Sequence, residues 1–218
     1  TLTGKGTDTA IAALQLGAVD CLAKPSLHNA AEVQQFSDSL IEKVRTASRA
    51  RVSTRKALPQ QMGQQGRGNP SLHAPKLIAI GASTGGVEAL SEVLVSLPKN
   101  MPPMVITQHM PPLFTTSFAR RLDGMCSLDV VEASDGMPIK AGQVVIAAGG
   151  LHMRVARSGA QLVCVLDDTP PVSSHKPSVD ALFNSVAQQV GASALGVILT
   201  GMGRDGAQGL LAMRQAGA

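Results

Sequence analysis

Lys76-Leu77-Ile78-Ala79-Ile80-Gly81-Ala82-Ser83-Thr84-Gly85-Gly86-Val87-Glu88-Ala89-Leu90-Ser91-Glu92-Val93-Leu94 is the stretch that decides the fold. Its first five residues form an apolar run of buried-strand type, and Val87, Leu90, Val93 and Leu94 then recur at helical spacing. A strand that turns sharply into a helix through glycines holds Ser83 at the C-terminal edge of a sheet. It also sets Ser83 against a helix N-terminus, whose free N–H groups and positive dipole end favour a developing negative charge. Gly81-Ala82-Ser83-Thr84-Gly85 fits the nucleophile-elbow pattern G-x-S-x-G. A glycine-rich turn that binds phosphate, or merely connects, has the same text.

Two more strand ends offer a base and its orienter. Val105-Ile106-Thr107-Gln108 reads as a buried strand followed directly by His109, and Pro111-Pro112 then opens a helix over Leu113 to Leu122. Gly196-Val197-Ile198-Leu199-Thr200 is a third strand, followed by Gly201-Met202-Gly203-Arg204-Asp205-Gly206 and a helix over Ala207 to Gln215. In an open α/β sheet, ligands bind outside the carboxyl ends of the strands. Ser83, His109 and Asp205 are therefore expected on one rim, with His109 taking the serine proton and Asp205 fixing the imidazole tautomer. Taken singly, His109 has an ordinary alternative as a surface histidine, and Asp205 as a turn or cap residue. The backbone N–H of Thr84, next after the serine, is the usual first oxyanion donor at such an elbow.

Ser83 in GASTGG, His109 in TQHMPPLF, the run His175-Lys176-Pro177-Ser178-Val179-Asp180, and Leu199-Thr200-Gly201-Met202-Gly203-Arg204-Asp205-Gly206 resemble the catalytic domain of the chemotaxis protein-glutamate methylesterases. The resemblance spans about residues 76–218. It implies a cytoplasmic bacterial serine hydrolase with the triad Ser83, His109 and Asp205, which cleaves glutamyl methyl esters on chemoreceptors and deamidates certain receptor glutamines. It also implies a second oxyanion donor from the backbone of Met202, and a substrate-proximal place for His175, whose imidazole has a structural role as its alternative. Lys176 replaces an arginine usual in the family and Ala148 a proline; neither is a triad position.

Composition agrees with this class. The chain has 218 residues, 44% of them hydrophobic, and no apolar run of membrane-spanning length. Its first residues lack the basic start and apolar run of a signal peptide. Cys21, Cys126 and Cys164 are odd in number and far apart, as expected of reduced thiols. No Cys/His pairing has zinc spacing, so no metal and no cofactor is expected in the catalytic domain. Four Phe without Tyr or Trp leave little to stack on bases, which argues against a nucleic-acid partner.

The charge is segmented. Residues 43–76 carry eight basic and no acidic groups, whereas residues 1–42 have a net charge of −3 and residues 77–218 of −1. The second half of the basic segment, rich in Gln, Gly and Pro, is poor core material. Residues 49–75 read as a flexible linker, solvated or docked on an acidic surface.

Residues 1–48 form a different unit. Thr9 to Leu16 reads as a helix ended by Gly17, Val19 to Ala23 as a short strand, and Glu32 to Ala47 as an amphipathic helix with Val33, Phe36, Leu40, Ile41 and Val44 inward. The stretch from Gly17 to Lys24-Pro25 resembles the last strand and Lys-Pro turn of a flavodoxin-like response-regulator receiver, the domain that this methylesterase family carries at its N-terminus. The resemblance makes Lys24 the switch lysine that contacts a phosphoryl group. It implies a histidine kinase as phosphodonor, and Mg2+ held by acidic residues expected upstream of residue 1. The C-terminus is also expected to be incomplete, because the helix ending near Gln215 should feed another strand.

The architecture expected for residues 76–218 is doubly wound α/β, with a largely parallel sheet and helices on both faces. Asp129–Glu132, 144–147, 153–156 and 161–166 read as further strands, the last two joined by a hairpin-like turn that makes part of the sheet antiparallel. Residues 180–190 read as a helix. Two competing readings follow from the motifs. Gly201, Gly203 and Gly206 match the G-x-G-x-x-G of a dinucleotide-binding module. An ordinary α/β-hydrolase would need the chain order Ser, acid, His, but no histidine follows Asp205.

Overall fold

Residues 77–82 alternate between two cores, and that alternation organises the molecule. Ile78, Ile80 and Ala82 point to one face of the sheet, while Leu77 and Ala79 point to the other. A strand buried on both faces belongs to a parallel sheet covered by helices on each side. The computed structural model describes residues 4–22, 30–48 and 74–218. Lys24 and most of the expected linker lie outside the described residues.

Among the described residues, five parallel strands run in the order β3-β4-β2-β1-β7: β1 Leu77–Ala82, β2 Met104–Gln108, β3 Asp129–Glu132, β4 Gln143–Ile146 and β7 Ala194–Ile198. Every pairing in this sheet is parallel. The chain leaves β1 toward β2 and later returns to its other side as β7, so β1 lies at the point where the strand order reverses. That is where an α/β sheet opens a crevice.

On the first face lie α1 Gly4–Gln15, α3 Gly86–Val95 and α4 Phe114–Asp123. Leu90, Leu94, Phe118 and Leu122 fill this core, joined by Ile11 and Leu14 of α1. On the second face, α5 Val179–Gln189 lies between the sheet and a hairpin of β5 His152–Ser158 and β6 Gln161–Asp167, with α6 Ala207–Gln215 beside it. Phe183, Leu182 and Val186 meet Leu77, Val105 and Val145 on one side and Met153 and Val155 on the other.

Three expectations are corrected. The antiparallel hairpin is a separate two-stranded sheet, not part of the main one; it serves as a cover for α5, to which Val155 N–H is tied through Ser185 Oγ at 2.9 Å. Described residues Val19–Leu22 are not a strand. No described strand lies beside them, and the Asp20 side chain takes the Cys21 N–H at 2.7 Å instead. In α2 Ala30–Ala47, Val33, Leu40, Ile41 and Val44 are exposed, because no described element packs on that face. The three cysteines are free, and burial pushes the Cys164 thiol up to about 12.

Candidate active site

Three adjacent strands, β2, β1 and β7, each deliver one polar side chain to the same rim. Ser83 follows β1, His109 follows β2, and Asp205 stands in the loop between β7 and α6. The register that pairs Ala82 with Gln108 and Gly81 with Ile198 keeps these strand ends level. Ser83 is anchored by its N–H to Thr200 O at 2.9 Å and by its carbonyl, which accepts from Gly86 N–H at 2.8 Å. Gly85 makes the elbow possible: its φ of 76° is left-handed and is the last position before α3. Gly201 leaves room for the serine, since a Cβ there would lie 2.8 Å from Ser83 Cβ.

His109 bridges the other two. Its Nδ1 lies 3.0 Å from Ser83 Oγ and its Nε2 lies 2.7 Å from Asp205 Oδ2. A carboxylate only accepts, so Nε2 carries the proton and the Nδ1 lone pair faces the serine hydroxyl. This interchanges the ring nitrogens relative to the serine-protease arrangement, where Nε2 serves the serine.

The Asp205 side chain is 1% exposed. Besides His109, its carboxylate accepts from Ser178 Oγ (2.7 Å), Val179 N–H (2.7 Å) and Asp180 N–H (3.0 Å). The N-terminus of α5 is thus capped twice, by Ser178 Oγ accepting from Ala181 N–H and by Asp205 from a distant loop. Burial alone would raise the Asp205 carboxyl. The hydrogen bonds from His109, Ser178 and the two amides outweigh it and hold the group at about 2.

Behind this front sit residues that sequence reasoning did not single out. Buried Gln108 donates through Nε2 to Ser83 O (2.9 Å) and His109 O (3.3 Å), clamping the serine and histidine turns together. Nothing in a glutamine at a strand end announces that role. Buried His152 accepts the Ser178 N–H at Nδ1 (3.2 Å) and faces Pro170 O through Nε2 (3.1 Å), which requires the Nε2–H tautomer. Ser178 itself carried a legible signal, as a serine immediately before an apolar-periodic helix.

His175 lies beside the triad, its ring stacked on that of His109 with centroids 3.8 Å apart. Thr84 donates its hydroxyl to Asp20 Oδ2 at 3.1 Å, and Lys43 pairs with the same oxygen at 2.6 Å. The N-terminal segment therefore touches the residue next to Ser83.

His109, His175 and Asp205 bring ligand-type atoms within 4.8 Å of one another. Their geometry suits a metal poorly. The imidazole planes are 10° from parallel, so their lone pairs do not converge, and four donors already occupy the Asp205 oxygens. The Gly201–Gly206 loop likewise suits a dinucleotide poorly, because it carries a buried carboxylate where a pyrophosphate would need N–H donors.

The family description "CheB methylesterase" matches residues 78–218. The chain belongs to the CheB methylesterase family. It is 52% identical over 217 residues to a protein of Salmonella typhimurium named protein-glutamate methylesterase/protein-glutamine glutaminase. It is 49% identical over 220 residues to a protein of the same name from Methylobacillus flagellatus. Both matches take in 100% of this chain, but the chain spans only 62% of the length of each relative. Among solved structures, the crystal structure of the Thermotoga maritima CheB methylesterase catalytic domain is 38% identical with a TM-score of 0.64, covering 66% of this chain and 77% of that one. The α/β fold with a parallel sheet and flanking helices is thus the fold of CheB catalytic domains. No helix among the described residues is long and apolar enough to cross a membrane.

Proposed function

We propose that this chain hydrolyses glutamyl methyl esters on the cytoplasmic helices of chemoreceptors, and deamidates receptor glutamines, through Ser83, His109 and Asp205. The carrying observation is the unbroken line from Ser83 Oγ to His109 at 3.0 Å and from His109 to Asp205 at 2.7 Å. Ser83 Oγ attacks the side-chain carbonyl while its proton passes to His109 Nδ1. The tetrahedral oxyanion collapses, and His109 returns that proton to the departing methoxide, releasing methanol. Water then attacks the acyl-enzyme with His109 again as base, freeing the glutamate and Ser83. With glutamine the leaving group is ammonia. Asp205 keeps Nε2 protonated and balances the imidazolium charge.

Backbone N–H groups of Thr84 and Met202 are assigned to the oxyanion, each such donor being worth about 10²–10³ in rate. No step calls for a cofactor; Mg2+ belongs to phosphorylation of a receiver, through acidic residues outside those described. Regulation fits the same frame. The Asp20–Thr84 contact, together with the packing of Ile11 and Leu14 on the α3/α4 face, supports an N-terminal receiver unit that restricts access to Ser83 until phosphorylated by the chemotaxis kinase. Lys24 is its switch lysine. The setting is the cytoplasm, with neither nucleic-acid binding nor membrane insertion.

A fluorophosphonate probe tests the nucleophile. Peptide mapping should place a single adduct on Ser83, with parallel loss of methanol release from methyl-labelled receptor membranes. Labelling elsewhere, with esterase activity intact, would overturn the assignment.

A further inference from the structure

His175 lies outside the hydrogen-bonded line of the triad, yet its ring covers one face of His109, with the planes 10° from parallel. The backbone that presents it is unusual. Val172 and His175 exchange both backbone hydrogen bonds, at 3.1 and 2.9 Å, across Ser173-Ser174. Both serines have positive φ, 52° and 66°. That is the conformation of a tight hairpin turn which ordinarily takes Asn or Gly. Left-handed non-glycine residues persist where surrounding structure holds them, and they cluster at functional sites. Here Ser173 Oγ donates to Asp180 Oδ2 at 3.2 Å, tying the turn to the helix end that also binds Asp205. His175 Nδ1 lies 2.6 Å from Ser173 O; a carbonyl only accepts, so Nδ1 carries the proton.

We propose that His175 is a positioning residue for the esterase reaction, its neutral ring stabilising the imidazolium that His109 becomes. Asp205 meets that cation at the ring edge, and His175 supplies an aromatic face, which attracts a cation. This rests on His109 being the base. The charged groups around the pair support the division of labour. Asp205 adjoins His109 directly, from the loop after β7. Asp180 of α5 reaches the His175 turn through Ser173. Lys176 is paired with Asp168 at 2.6 Å; Arg204 flanks Asp205 in sequence. On the far side, Asp20 is shared by Thr84 and Lys43. Two stacked imidazolium rings would repel, so the ring over His109 can serve it only while carrying no charge itself.

The test compares His175→Phe, which keeps a flat aromatic face, with His175→Leu, which keeps bulk without one, in the intact protein. The readouts are the NMR titration of His109 and the kcat and KM for methanol release. His175→Leu should lower the His109 midpoint by roughly half to one pH unit and kcat by roughly 3- to 10-fold with KM unchanged, from the usual strength of a cation over an aromatic face. His175→Phe should restore both. If Leu does not fold, His175→Gln takes its place with the same expected shift. Equal midpoints and rates in the Phe and Leu variants would show the contact to be packing alone and overturn the proposal. The titration can also be read in a Ser83→Ala background, so its failure is distinguishable from failure of the triad assignment.

Discussion

Replacing Asp205 with asparagine removes a charge and one acceptor from a carboxylate that takes four hydrogen bonds. An amide has one oxygen, so its NH2 must face either the Val179 N–H or the Asp180 N–H, donor against donor. With the NH2 toward His109, Nε2 must give up its proton, and the N–H moves to Nδ1, where it faces Ser83 Oγ and cannot take the serine proton. With the oxygen toward His109 the tautomer survives, but the imidazolium loses its counter-charge. Either way kcat should fall about 10³–10⁴-fold, with a residue of activity from the oxyanion donors. Moving a carboxyl from 3.8 to about 2 corresponds to about 2 kcal/mol of stability, and an orphaned amide adds about 1–3. The sign is that of a depressed acid: the contribution is full above about pH 4 and is lost as pH falls through about 2. The assay is methanol release together with thermal unfolding across pH 2–7. The variant should be less stable at neutral pH and lose less on acidification. An Asn variant within tenfold of wild-type kcat, or one with the full acid sensitivity, would refute this reasoning.

Gly201→Ala would put a Cβ 2.8 Å from Ser83 Cβ; displacing the nucleophile by up to about 1 Å should cost up to about 10²-fold in kcat, read from steady-state kinetics with unfolding as control. Deleting everything before Lys76 from the intact protein should raise the activity of the unphosphorylated enzyme, since the Asp20–Thr84 contact goes with the deleted part. No rise in methanol release would argue that the N-terminal unit activates by contact.

The strands and helices from 76 onward were legible because burial on both sheet faces demands apolar runs, and helices on those faces demand apolar stripes. Ser83, His109 and Asp205 were legible because a parallel sheet brings all its strand ends to one rim. What the chain hid was contact between distant segments. Nothing local tells that Asp205 caps α5, that Gln108 clamps two turns, or that left-handed serines aim His175 at His109. The α2 stripe misled for the opposite reason: amphipathic spacing states that a face is meant to be covered, not that it is. In α3, Val93 fits the apolar spacing but is exposed, while Ser91 is buried with its hydroxyl bonded to Val87 O at 2.6 Å.

Methanol release by the Ser83→Ala variant is the most direct test of the account. The substitution takes away the attacking oxygen and leaves the glycine elbow, α3 and both cores in place, so thermal stability should stay within roughly ±0.5 kcal/mol of wild type. With methyl-labelled receptor membranes and the intact protein, the account predicts no methanol above the buffer rate from a fully folded variant. Wild-type release from that variant would contradict it and place the chemistry elsewhere.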